Sequence, residues 1–584
     1  MLYELFSRGV MKIMSFVHVC FFGTRRIGKD LFNQQDYRRE TMSNGMYKIT
    51  KPENEQVLSY LPGSPEKMEL KKCLERMISD PVEIPLIING REIRTGITGT
   101  CIVPHEKSRI LATFHKAGPR EIEMAIQASL DAKKKWMAMD WDHRLAVFLK
   151  AAELISGKWR QILNAATMLG QSKTVYEADA DSACELMDFF RFNAYYVRQL
   201  LEEQPRCSKG MFNRIEYRPL EGFVFAVTPF NFTAIGGNLP TSPAMSGNTI
   251  VWKPASTAVL SNYYVMKLLQ EAGLPDGVIN FIPGDGSIVG PAVTAHPMLA
   301  GIHFTGSTAT FNSLWKSVAK NLETYRSYPR IVGETGGKDF LFAHASADSV
   351  SLVHAIIGGG FSYQGQKCSA TSRVYIPQSL WNQVRQGLEK EMADLKTGDV
   401  EDFTHYMGAV IDQKAFDTIS SYIDRARSSE KAEILMGGNC DDSQGFFVSP
   451  TIIETSDPHF ITMEEEIFGP VVTVFVYEDG DFEKTLDLCE STSPYALTGA
   501  VFARDREVIQ EVEKRLAYSA GNLYINDKTT GAFVGLQPFG GARASGTNEK
   551  VGSKQNISRW MSPRTIKENF NPAKDYRLPL MEEA

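Results

Sequence analysis

Five short apolar runs follow one another in this sequence, at residues 223–227, 250–252, 278–282, 302–304 and 331–332. A run with no polar face must, as a strand, be covered on both sides. Most of the runs are followed by a stretch with helical spacing. The clearest is residues 258–272, which end on Gly273 and Pro275, two residues that stop a helix. Strands alternating with helices predict a parallel, doubly wound sheet. Such a sheet binds its ligands beyond the carboxyl ends of its strands.

The same alternation resumes later. A helical stretch follows Ser349, apolar runs stand at 372–376, 471–475 and 499–502, and the block runs to about Ile525. At 584 residues the chain is too long for one ordinary core, so this reads as a second α/β domain. Upstream, Ile122, Ile126 and Leu130 recur at helical spacing, as do Leu145, Phe148, Leu149 and Ala152. A third helix carries Glu185 beside Leu186, Phe189, Phe190 and Asn193. Residues 47–100 are mixed in character, and their function is not legible.

The net charge of −6 gives no basic footprint for a nucleic acid. Eight scattered cysteines include no C-x-x-C pair and no zinc spacing, so no metal is expected and free thiols in a reducing compartment fit best. The first forty residues are basic and poor in acids, and their apolar run at 16–22 is too short to span a bilayer. Such a leader suits organelle import, with an unprocessed extension as the alternative. No later stretch offers a membrane span.

Cys368 stands between small and polar residues in Gln364-Gly365-Gln366-Lys367-Cys368-Ser369-Ala370, just past three consecutive glycines. A lone cysteine is most often a small buried hydrophobe. Here a carboxylate, Glu334, lies upstream in Glu334-Thr335-Gly336-Gly337-Lys338. A thiol nucleophile with a separate carboxylate base suits acyl chemistry on a carbonyl. Asn231, in Thr228-Pro229-Phe230-Asn231-Phe232, can aim its amide at a developing oxyanion; a turn asparagine is the ordinary reading, and the flanking aromatics favour a pocket wall instead.

Three motifs sit where strands end. They are Trp252-Lys253-Pro254-Ala255, Phe304-Thr305-Gly306-Ser307-Thr308 and the glycine series Gly284, Gly286 and Gly290. The glycine spacing is G-x-G-x-x-x-G rather than a dinucleotide fingerprint, and each motif alone could be an ordinary turn. Together at one sheet edge they point to a nucleotide site.

These motifs, with Glu466-Ile467-Phe468-Gly469-Pro470 and Pro538-Phe539-Gly540-Gly541, resemble the aldehyde dehydrogenase superfamily from about Tyr47 to Lys567. Residues 185–193, 365–369, 526–531 and 539–547 resemble a branch of it that oxidises glutamate γ-semialdehyde to glutamate in proline breakdown. The resemblance implies an α/β fold with a Rossmann-type cofactor domain, a second α/β catalytic domain and a small oligomerisation arm. It implies a basic leader at 1–46, an NAD-binding domain at 47–205 and 222–335, a catalytic domain at 336–530, and an arm and tail at 206–221 and 546–575. The segment 206–221 reads as a hairpin. Cys368 becomes the nucleophile, Glu334 the general base and Asn231 the oxyanion donor. NAD would lie along Thr228, Lys253, Gly306, Ser307, Thr308, Ala309, Thr310, Glu466 and Phe468. Lys367, Ser369, Gly531, Ala532, Phe539 and Glu185 would hold the substrate, with Ala532 standing where some relatives carry serine.

No carboxylate follows Lys253 closely enough to repel a 2′-phosphate, so the choice of NAD rests on the resemblance. The implied setting is the mitochondrial matrix, otherwise the cytoplasm, and the implied assembly a homodimer or larger. A dehydrogenase for another semialdehyde is the near rival. A coenzyme-A-acylating relative would leave Glu334 without water to activate, and a cysteine hydrolase would lack its histidine. A binding protein that had lost catalysis would not be expected to keep all three of Cys368, Glu334 and Asn231.

Overall fold

The five apolar runs form five adjacent parallel strands of one seven-stranded sheet. In sheet order they are Arg330–Glu334, Leu299–Thr305, Phe223–Val227, Ile250–Lys253 and Ile279–Phe281. The structure, a computed structural model, describes residues 48–581, so the basic leader expected at 1–46 lies outside the described residues. Two three-residue strands, Leu86–Ile88 and Arg91–Ile93, extend the sheet antiparallel from the previously illegible segment. Phe223 and Phe225 point into one core with Ile302 and Phe304, while Val224 and Ala226 point into another with Trp252 and Phe281. Both faces are buried, as continuous apolar runs require. Each such valine, isoleucine or phenylalanine stabilises the fold by about 1.5–3 kcal/mol relative to leaving it exposed.

The helix predicted over 258–272 spans Val259–Ala272 and ends on Gly273 at φ 99°. That left-handed cap costs glycine little, and the two chain directions meet the prediction within a residue.

Sheet order reverses at Phe223–Val227, whose sequence successors lie on one side and whose later relatives lie on the other. A crevice therefore opens beyond the carboxyl ends of Phe223–Val227 and Leu299–Thr305. In register, Val227 pairs with Lys253, Phe304 with Val227, and Thr305 with Glu334. Thr228, Lys253, Gly306 and Glu334 consequently sit at one edge.

A second seven-stranded sheet is built from Ala432–Met436, Thr451–Thr455, Val471–Tyr477, Thr371–Pro377, Asp339–Ala343, Thr498–Phe502 and Asn522–Ile525, in that order. Only its first pair is antiparallel. Leu341 and Ala343 face one core, Phe340 and Phe342 the other. The chain crosses from the first sheet to the second within Thr335–Lys338, so Glu334 ends one sheet as Asp339 begins the other.

The hairpin expected at 206–221 is corrected. Met211–Pro219 does not fold back on itself but pairs antiparallel with Met561–Asn569 along its whole length. A tail strand of matching length gives it nine paired positions, which no turn within sixteen residues could supply. Among the described residues, no helix is long and apolar enough to cross a membrane.

Candidate active site

Cys368 is placed by a strained turn. Tyr363, Gln364 and Gly365 have φ of 50°, 54° and 65°, a left-handed run between helix Ser349–Gly360 and strand Thr371–Pro377. For a residue with a side chain this conformation costs about 1–2 kcal/mol. The surroundings hold it. The Gln364 amide donates to Ser172 O at 2.9 Å and Ala409 O at 2.7 Å, and Tyr363 is fully buried. A Cβ on Gly365 would lie 2.2 Å from Gly469 O, so that position admits glycine only.

The thiol of Cys368 donates to Glu334 Oε1 at 3.4 Å. The close crossing behind it depends on Gly337, where a Cβ would stand 2.2 Å from the Cys368 carbonyl oxygen. Cys368 and Glu334 are both nearly sealed from water, at 9% and 6% exposed. Burial, then the Glu334 carboxylate, pushes the Cys368 thiol well up. Burial pushes Glu334 up to about 7, against the opposing pull of Cys368 and Lys550. A carboxylate poised near neutrality can take a proton and give it back, which is what a general base needs.

The Asn231 amide donates to Gln366 O at 3.0 Å. Its second N–H, and the backbone N–H of Cys368, have no partner among the described residues. Two free donors therefore accompany the sulfur.

The residues expected to hold a dinucleotide gather at the crevice. Trp252 Nε1 donates to Thr228 Oγ1 at 3.1 Å, fixing the end of the first strand. Among the described residues Lys253 Nζ bonds only its neighbour's carbonyl, Pro254 O, at 3.0 Å, and burial pushes the ammonium down to about 8. Across from it a Cβ on Gly286 would meet nothing nearer than 4.0 Å, the Lys253 Cε. Ser307 caps helix Thr308–Lys320, accepting from the Thr310 N–H. Gly306 and Thr308 are half-buried there, and Ser307, Ala309 and Thr310 are exposed. Glu466 Oε1 accepts the Gly337 N–H at 2.9 Å, and a Cβ on Gly336 would strike its Oε2 at 2.2 Å. Burial pushes that carboxyl up to about 7. Phe468, at φ 57°, meets Phe230 edge-on at 5.8 Å. An underused half-buried cation, a hydroxyl-rich helix start and a half-buried carboxylate form a donor set that fits NAD.

Around the sulfur the expected substrate residues converge less uniformly. Ser369 Oγ donates to Thr530 Oγ1 at 2.9 Å, and Thr529 Oγ1 donates to Ser369 O at 2.7 Å. These bonds dock the loop of Gly531 and Ala532 beside Cys368. Gly531 is exposed at φ 99°, and Phe539 is half-buried, its backbone paired with Val551. Lys367 is buried. Glu185 is half-buried, and its Oε2, sealed from water, has no hydrogen-bond partner among the described residues. Burial and then Asp181 push the Glu185 carboxyl well up.

Sequence reasoning missed Tyr363 and Lys550. Lys550 donates to Gly521 O, Gly540 O and Asn522 Oδ1, and it lines a small cavity with Glu334. No local pattern distinguishes such a lysine from a surface one.

A family model described as the aldehyde dehydrogenase family matches residues 95–566. The delta-1-pyrroline-5-carboxylate dehydrogenase, mitochondrial, of Dictyostelium discoideum is 50% identical over 536 residues, 91% of this chain and 96% of that protein. The human protein of the same name is 48% identical over 91% of this chain and 94% of its own. The Delta-pyrroline-5-carboxylate dehydrogenase of Mycobacterium tuberculosis, solved with NAD bound, superposes with a TM-score of 0.90 at 48% identity. It covers 93% of this chain and 100% of its own.

Proposed function

The chain belongs to the aldehyde dehydrogenase family, and on that premise we propose that it oxidises L-glutamate γ-semialdehyde, the open form of Δ1-pyrroline-5-carboxylate, to L-glutamate with NAD. One observation carries the reading: a buried thiol that donates to a carboxylate poised near neutrality, with two uncommitted N–H donors beside it.

Glu334 takes the thiol proton as the Cys368 sulfur bonds to the aldehyde carbon. The Asn231 amide and the Cys368 N–H hold the oxyanion that forms. NAD, when bound, supplies the acceptor for the aldehyde hydrogen as hydride, along Thr228, Lys253, Gly306, Ser307, Thr308, Ala309, Thr310, Glu466 and Phe468. What remains on the sulfur is a thioester. After giving up its first proton to solvent, Glu334 takes another from water, whose oxygen attacks the thioester. The carbon–sulfur bond breaks, the product leaves as a carboxylate and Cys368 recovers its proton.

The far end of this substrate carries an α-carboxylate and an α-ammonium. Lys367 and the N–H groups at Gly531 and Ala532 suit the carboxylate, Glu185 the ammonium, Ser369 the loop that closes over both, and Phe539 the methylenes. Several relatives are named mitochondrial, and a basic leader suits import to the matrix. The ribbon of Met211–Pro219 with Met561–Asn569 suits a subunit contact in a homodimer or larger assembly.

The deciding experiment is NADH formation from glutamate semialdehyde, succinate semialdehyde and propanal, with and without coenzyme A. Glutamate semialdehyde should lead propanal in kcat/KM by roughly 10- to 150-fold for each charge-assisted bond its charged end makes. Equal values would leave a general aldehyde dehydrogenase. A lead for succinate semialdehyde would move the assignment to that substrate, and a need for coenzyme A would replace hydrolysis with acyl transfer.

Asn231→Ala should slow the hydride step by about 10²–10³-fold, the usual contribution of one oxyanion donor. Single-turnover NADH formation with enzyme in excess measures it. A loss below threefold would leave the oxyanion to the backbone alone.

A further inference from the structure

A buried charge cluster lies beside the nucleophile, and the chemistry above uses only its outer member, Lys367. Lys173 is its innermost residue and is fully buried. Its ammonium lies 4.1 Å from the centre of the Phe232 ring and 4.3 Å from that of Tyr363. Its anion is Asp181, with Nζ to Oδ2 at 2.5 Å. The same Oδ2 lies 3.5 Å from Nζ of Lys367, the residue before Cys368. Lys367 also donates to Ser362 Oγ at 3.0 Å, and Ser362 donates onward to Glu177 Oε1 at 2.8 Å.

Two cations, Lys173 and Lys367, thus balance two anions, Asp181 and Glu177, in a region with little water. Glu185 borders the group, and burial and then Asp181 push its carboxyl well up. Asp181 bridges the cations through one oxygen, and Lys173 holds it the more closely. Without Lys173, the full charge of Asp181 would fall on Lys367 and cancel it. A pair of aromatic faces is a costly device for an ammonium that served only to fill space, because a methionine would fill it without desolvating a charge.

We propose that Lys173 and Asp181 are specificity-determining residues that, without touching the substrate, set the charge Lys367 presents to the carboxylate end of the aldehyde. This rests on the reading above in which Lys367 faces that carboxylate. Lys173→Met leaves the cluster with one excess negative charge, and Asp181→Asn leaves it with one excess positive charge. The two variants must therefore move recognition of an anionic aldehyde in opposite directions. A neutral aldehyde should not register either change.

The test is steady-state kinetics of the full-length enzyme with glutamate semialdehyde and propanal, with parent, Lys173→Met, Lys173→Arg, Asp181→Asn and the Lys173→Met/Asp181→Asn double variant. Lys173→Met should raise KM for glutamate semialdehyde by about 10- to 150-fold, the loss of one charge-assisted contact, with kcat and the propanal kcat/KM near parent. Asp181→Asn should lower that KM. Lys173→Arg and the double variant, both charge-balanced, should return it to within about tenfold of parent.

Equal losses on both aldehydes, without recovery in the double variant, would reduce the cluster to a folding element and overturn the proposal. If Lys173→Met fails to fold, Asp181→Asn still decides, since a KM that does not fall overturns it. A parent enzyme with no preference for glutamate semialdehyde would instead be a failure of the substrate assignment.

Discussion

Cys368→Ala should abolish NADH formation from every aldehyde, with neither a first-turnover burst nor steady release. The expected loss is about 10⁴-fold or more, the scale on which a covalent nucleophile is missed. The geometry leaves no substitute. Among the described residues the Cys368 thiol is the side chain bonded to the Glu334 carboxylate, at 3.4 Å, and the Asn231 amide bonds the carbonyl of Gln366, two residues before it. Of the other described cysteines, Cys101, Cys184 and Cys489 are buried elsewhere, and burial pushes each thiol well above its ordinary range. Alanine removes one buried atom and leaves the left-handed turn at Tyr363, Gln364 and Gly365 with its bonds to Ser172 and Ala409. Far-ultraviolet circular dichroism and NAD binding should accordingly match the parent. The measurement is stopped-flow absorbance at enzyme concentrations near those of NAD. A burst of one NADH per chain in the variant would remove Cys368 from the chemistry.

Much of this arrangement was legible in the sequence, for a physical reason. Strands buried on both faces must be apolar throughout, so residues 223–227, 250–252, 278–282, 302–304 and 331–332 announced the first sheet. Gly273 announced a helix end because a left-handed cap at φ 99° favours glycine. The strand Asp339–Ala343 escaped notice. It opens on the buried Asp339, straight after the buried Lys338, and the pair read as a loop until their partners, Thr498 and Ser372, come near in space. The strands Val82–Ile84, Leu86–Ile88 and Arg91–Ile93 escaped because three residues are too few to show a period. The ribbon of Met211–Pro219 with Met561–Asn569 escaped because its partners are hundreds of residues apart.

The site divides in the same way. Cys368, Glu334 and Asn231 stand in glycine-rich or aromatic settings that mark close approach, and the structure brings the three together. Lys173 and Asp181 give no such mark. Lys173 lies in the short link between helices Arg160–Gln171 and Val175–Ala178, where a charged residue reads as solvated, and the rings of Phe232 and Tyr363 around it show otherwise.

Glu334→Gln should separate the two halves of the reaction and remove a pH dependence with them. Burial pushes the Glu334 carboxyl up to about 7, so below that pH most of it holds a proton and cannot accept another. The base form grows as pH rises. In the parent, kcat limited by thioester hydrolysis should therefore climb about tenfold per unit below pH 7 and level off above it. The sign is fixed by the carboxyl being the base: a group required in its protonated form would give the opposite slope. Glutamine keeps the size and can still accept from the thiol through its carbonyl oxygen, but it cannot take a proton. The variant should form the thioester with a full-amplitude, slower burst, since the thiol must then lose its proton to solvent. Steady turnover should fall by about 10²–10⁴-fold, the usual share of a positioned base, and the limb near pH 7 should vanish. Lys550, whose charge favours the ionised carboxylate, makes a second reading of the same group: Lys550→Met should move the parent's limb to higher pH. Rapid-quench trapping of the acyl-enzyme, followed across pH 5.5 to 9 with about half-unit steps, measures amplitude and turnover on one sample. Turnover in Glu334→Gln that stays near the parent rate and keeps its rise through pH 7 would assign the base to another group.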